Sequence, residues 1–96
     1  METFRQNYRG HGRIKANFNA GDIHERSVVV VTACELGEFD KPMVGDANVW
    51  VSNIAPHGPP SDPNNGVTYA LHIDWHEDLV ARVDITILDS PVVYEG

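Results

Sequence analysis

His72, Asp74 and His76 are the side chains whose types and spacing come nearest to chemistry. They stand at i, i+2 and i+4, and on an extended chain alternate side chains leave the same face. Two imidazoles and a carboxylate so placed could hold zinc or another divalent transition metal, with one position left for water. They could also serve acid–base catalysis. A plainer role is cross-strand pairing, His72 with Asp84 and Asp74 with Arg82, each pair contributing a few tenths to about 1 kcal/mol.

No other constellation carries a mechanism. Ser52, Ser61 and Ser90 lack the local motif of an activated serine, and the chain has no phosphate-binding or dinucleotide-binding glycine pattern. Cys34, the one cysteine, lies in an apolar run and reads as a buried, inward-facing thiol rather than a nucleophile. A calcium loop beginning at Asp62 would put Gly66 at its fifth position, not the sixth where glycine is required, and Ile73 at the twelfth in place of a glutamate, so that site is rejected. No catalytic residue is therefore assigned. No cofactor is required, and a divalent metal at His72, Asp74 and His76 is the one the residues suggest. The balance leans away from an enzyme.

The elements that must position these residues are strands. Val67, Tyr69, Leu71, Ile73 and Trp75 alternate with Thr68, Ala70, His72, Asp74 and His76. After Glu77-Asp78, Leu79, Ala81, Val83, Ile85 and Ile87 alternate with Val80, Arg82, Asp84, Thr86 and Leu88. A period of two marks half-buried strands. Joined as a hairpin through a three-residue loop at His76–Asp78, they pair Trp75 with Leu79 and Tyr69 with Ile85, with Asp78 as the residue most tolerant of positive φ. Each large apolar side chain buried on that floor contributes roughly 1.5–3 kcal/mol.

Residues 4–18 read as a second hairpin around Gly10-His11-Gly12, pairing Tyr8 with Ile14 and Phe4 with Phe18 and leaving a basic outer face. The competing reading is a flexible basic arm that touches phosphates and stacks bases. Ser27–Leu36, with four consecutive valines, predicts a strand covered on both faces or nearly so. Residues 37–46 predict a loop, and Ala47–Ile54 a strand with Val49 and Val51 on one side and Trp50, Ser52 and Ile54 on the other. Four prolines make residues 55–66 a stiff loop suited to contacts. Val92-Val93-Tyr94 is a short tail that adds an edge strand or docks on a neighbour.

Six strands and no helical periodicity give an all-β chain: a small antiparallel β-sandwich or partly open barrel, meander-like, one domain over residues 1–96. Residues 1–26 carry five cations against three acids, a balance of +2, whereas residues 27–96 carry two against eleven, a balance of −9. The net charge of −7 opposes nucleic-acid binding by the whole domain. It favours solubility or the docking of unlike charged faces. The longest aliphatic run, Val28–Val31, is far short of a membrane span. No secretory pattern opens the chain, so a cytoplasmic protein is expected.

The expected function is a non-enzymatic binding or assembly module that acts through protein–protein contacts and self-associates. Trp50, His57, Val80, Leu88 and Tyr94 are its candidate contact residues, with Trp50, Val80, Leu88 and the tail forming one apolar patch. The alternatives are a metal-dependent or acid–base enzyme using His72, Asp74 and His76, and nucleic-acid contact through the basic N-terminal segment.

Overall fold

A computed structural model describes residues 1–88 and 93–94. The described residues form seven strands: β1 (Glu2–Gly10), β2 (Gly12–Asn19), β3 (Val28–Leu36), β4 (Pro42–Met43), β5 (Asn48–His57), β6 (Gly66–Asp74) and β7 (Leu79–Leu88). A 3-10 turn, Glu38–Asp40, precedes β4. The strands make two antiparallel sheets, in the orders β1-β7-β3-β4 and β2-β6-β5. One sheet is curled into a half-barrel.

The alternation of β6 and β7 does mark their buried faces. Val67, Leu71 and Ile73 of β6, and Ala81, Val83 and Ile85 of β7, have no exposed surface. Their partners differ from the sequence expectation. β6 pairs with β2 and β5, while β7 pairs with β1 and β3. The two strands therefore stack face to face across the core instead of lying side by side. The N-terminal segment behaves in the same way. β1 joins β7 and β2 joins β6, so Tyr8 does not pair with Ile14. Phe4 and Phe18 still meet, with ring centroids 4.9 Å apart, but from opposite sheets.

Both connections are arches, and their tips lie at the same end of the molecule. His11 Nδ1 stands 2.6 Å from Asp78 Oδ1 and links them. Gly12 takes the left-handed φ of 76° that the first arch needs, and Asp78 is not among the residues with positive φ. An arch does not demand the tight reversal of a hairpin, which removes that need.

Three further boundaries differ. β3 is covered on its inner face only: Val31 is buried, whereas Val30 is 43 % exposed. β4 adds a seventh, two-residue strand in the expected loop. β5 runs on to His57, three residues into the Pro-rich segment, and carries a register shift between Ser52 and Ala55. Pro56 is tolerated there because β5 is an edge strand.

The rest of the Pro-rich loop is fastened to the molecule. Asn65 Nδ2 donates to the Ile23 carbonyl at 2.7 Å, the Ala20 amide donates to Asn65 O at 3.0 Å, and Ser61 donates to Glu25 at 2.8 Å. These bonds hold Ile23 in place as a fully buried plug at that end of the core. Of the expected tail strand, Val92 lies outside the described residues. Val93 and Tyr94 are in no strand and are 78 % and 89 % exposed. No helix among the described residues is long and apolar enough to cross a membrane.

Candidate functional site

His72 leaves β6 on the side away from the core, and the register sets it between Arg13 of β2 and Trp50 of β5. Its ring stacks on the Trp50 indole at 4.5 Å with only 3° between the planes. Its Nε2 lies 2.7 Å from Ser52 Oγ. Ser52 in turn donates to Asn53 Oδ1 at 2.6 Å. A hydroxyl has one proton, so with that proton on Asn53 the bond to His72 runs from Nε2–H to Oγ. An activated serine needs the reverse, with the imidazole accepting. No carboxylate bonded to Nδ1 orients the ring among the described residues. The arrangement is a stacked aromatic surface beside the bulge where Asn53 adopts a φ of 55°.

Asp74 ends β6 opposite Asn48 and is exposed. His76 stands in the arch beyond it, its ring 4.8 Å from Trp75 and its Nε2 4.0 Å from Glu77. Among the described residues, no group of three or more His, Cys, Asp or Glu side chains is gathered to hold a metal ion. The expected pairs from His72 to Asp84 and from Asp74 to Arg82 do not form, because β7 lies in the other sheet. Asp84 instead receives Arg5 Nε at 2.7 Å and Nη2 at 3.1 Å, with Arg82 Nε at 3.8 Å. The Arg5 hydrogen bonds hold the Asp84 carboxyl below its ordinary pKa, against a smaller opposing effect of burial.

The basic N-terminal residues do not make one surface. Arg5 and Arg9 lie on the first sheet, Arg13 and Lys15 on the second, and Asp84 pairs with Arg5. Cys34 is half-buried rather than enclosed, and it faces outward with Arg82 opposite it.

The candidate contact residues are also dispersed. Trp50, 44 % exposed, lies on the second sheet, whereas Val80 and Leu88 stand at opposite ends of β7 in the first, so they form no common patch. Tyr94 is exposed and belongs to no strand. His57 is turned inward on its own chain, with Nε2 2.6 Å from Asn17 Oδ1 and Nδ1 2.7 Å from the Asn64 carbonyl.

A residue not singled out from the sequence is the most unusual in the structure. The inward face of β3 carries Val29, Val31, Ala33 and then Glu35, which opposes Ala81 of the core. Glu35 Oε1 has no exposed surface and no hydrogen-bond partner; it alone is so placed among the described side chains. Gly45 makes room for it, since a Cβ there would stand 2.9 Å from Oε1. The carboxylate sits where two spaces of about 320 and 250 Å³ adjoin. Val44 and Val49 line the first, Trp75 and Leu79 the second, and Met43 both. Extending the alternation of β3 by one step would have exposed this acid as an inward position.

The chain matches no protein-family model, and comparison with curated proteins and with solved structures finds no match.

Proposed function

We propose that this protein is a non-enzymatic assembly module that associates with a second copy of itself by pairing the open edge of β3. One observation carries the reading. Among the described residues, β4 is hydrogen-bonded to β3 only at Glu35 and Leu36, so the backbone of Val28–Cys34 has no hydrogen-bonded strand on that side, although β5 of the other sheet comes close to β3. An uncovered edge is a row of unpaired backbone donors and acceptors, and folded proteins normally blunt it. The other edges are blunted. β1 bears Arg5 and Arg9, β2 bears Arg13 and Lys15, and β5 bears a bulge and Pro56. Val28–Cys34 has no charge, proline or glycine, and four of its seven residues are valines.

A second copy suits this edge for a reason of symmetry. Antiparallel pairing about a central residue such as Val31 sets each residue opposite its own symmetry mate or another uncharged one, so no like charges meet. The exposed Val30 and Thr32 would then gain cross-strand neighbours.

Light scattering on the intact chain tests the proposal. A dimer is expected that becomes monomeric when Val30 and Thr32 are both changed to lysine, with the circular dichroism spectrum unchanged. Each copy carries a net charge of −7. Added salt therefore strengthens an uncharged-edge dimer by screening that repulsion, whereas docking of basic on acidic faces would weaken. A wild-type monomer, or a dimer indifferent to both lysines, overturns the reading.

A further inference from the structure

We propose that the Glu35 cleft is a binding site for a small primary amine, taken up as its ammonium ion on an apolar stem. The inference rests on the Glu35 carboxylate and the walls facing it rather than on strand pairing, although Ala33 and Cys34 at the end of the open stretch also line the cleft.

Glu35 has no counter-ion among the described residues, and its Oε1 has neither water access nor a hydrogen-bond donor. Buried polar groups are nearly always partnered, so an orphaned carboxylate oxygen calls for a physical reason. Packing does not supply one. A glutamine or an aliphatic side chain would fit against Ala81 without the desolvated charge. The neighbourhood instead suits a missing cation. Asp46 is the other carboxylate on the cleft wall and no cationic side chain lines it; the remaining lining is apolar apart from Asn48 and the Cys34 thiol. An ammonium group brings three donors to a carboxylate that lacks them, and charge-assisted bonds of this kind are among the stronger ones.

The walls decide what accompanies the charge. Met43, Val49, Leu79 and Trp75 offer a thioether, aliphatic carbon and an indole to a short alkyl or aryl stem. Trp75 adds a π face, which attracts a cation lying over it. Ligand pockets run from roughly 300 to 1,000 Å³; the space of about 320 Å³ is at the low end of that range and the adjoining one of about 250 Å³ just below it, which suits a small molecule and not a folded partner. Reaching Oε1 requires only rotation of the carboxylate about its terminal torsion, which is a soft one. Gly45 leaves space for that rotation, because any side chain there would press on both oxygens.

The test uses benzylammonium as probe and benzyl alcohol as its uncharged match, titrated into the full chain and followed by the amide resonances of residues 33–36, 43–49 and 75–79. Saturable shifts confined to those residues are expected for the ammonium ion only. Glu35→Gln should weaken binding by at least about tenfold, equivalent to the loss of about 1.4 kcal/mol. The same variant should melt at an equal or higher temperature, because it removes a desolvated charge while keeping the shape. Gly45→Ala should weaken binding with Glu35 still present. No saturable response, equal response to the alcohol, unaltered binding by Glu35→Gln, or a lowered melting temperature in that variant overturns the proposal.

Discussion

The hydroxyls of Tyr8 and Tyr69 meet 2.6 Å apart across the two sheets, with the rings edge to face. Tyr8 also donates to Gln6 Oε1 at 2.6 Å, so the Tyr69 hydroxyl is the donor between the two phenols. Tyr69 is 1 % exposed, and burial, reinforced by Tyr8, raises its phenol far above the ordinary value and keeps it neutral.

The two tyrosines should respond unequally to loss of their hydroxyls. Tyr69→Phe leaves Tyr8 bonded to Gln6 and should cost about 1 kcal/mol. Tyr8→Phe strands the enclosed Tyr69 hydroxyl and should cost about 1–3 kcal/mol. The double variant removes the stranded group and should be more stable than Tyr8→Phe alone. Denaturant melts of the three proteins check the order, and equal losses in both single variants would exclude it.

That relationship also marks how far the sequence could be read. Alternation along residues 67–75 and 79–88 separates dry from wet side chains, apart from Ala70, which is buried on the outer face, because a pleated strand admits no other period. It does not reveal partners. A hairpin and an arch both turn apolar residues toward one core, so Tyr69 and Ile85 look alike whether side by side or stacked. What separates the cases is the demand for a second layer, which one sheet cannot meet. His72 was legible as an outward residue, but its contact with Ser52 was not, since the two come together only through the β5–β6 register. Glu35 passed unnoticed because a charged residue after Val31 and Ala33 looks like the end of the buried run.

Asp84 makes acid stability testable. Its carboxyl is held below the ordinary value, so the Arg5 contact stabilises the fold in full above the unfolded-state pKa of about 3.9. It fades as pH falls through the lower folded-state value. Asp84→Asn should therefore melt below the wild type at neutral pH and converge with it in strong acid. Arg5→Gln should do the same, since it removes the main cause of the shift. Melting curves from pH 7 to pH 2 check this, and a gap that widens toward acid would contradict it.

Gly66 is required by a close approach rather than by its torsion. It opens β6 opposite Asn19, and a Cβ there would run into the backbone carbonyl oxygen of Phe18. A paired strand cannot yield as a side-chain tip does. Gly66→Ala should therefore destabilise the fold by about 1–3 kcal/mol, as overpacking does. In a domain of this size each kcal/mol lowers the melting temperature by roughly 4–8 °C. Gly21→Ala is the matched control, because a Cβ there meets nothing within 4 Å. Comparable losses in the two variants would show that the Phe18 contact does not set the requirement, because backbone entropy by itself favours alanine at a compatible φ.

His57 should act as a latch for the Pro-rich loop rather than as a contact for a partner. Its ring spans from Asn17 on β2 to the Asn64 carbonyl near the loop's end, and Asp62 lies 3.7 Å from Nδ1. The side chain is only 16 % exposed, so little of it is offered to another molecule. A neutral imidazole has one N–H for these two oxygen acceptors, so His57→Ala removes one hydrogen bond of about 1 kcal/mol together with a close polar contact. The loop's other fastenings, Asn65 to Ile23 and Ser61 to Glu25, remain. Amide hydrogen exchange should accordingly speed up over residues 58–65 and at Ile23, while the β6 and β7 amides keep their protection. Thermal stability should fall by an amount matching about 1–2 kcal/mol. Unchanged exchange in the loop, together with loss of self-association, would instead make His57 a contact residue and separate the latch from the β3 edge.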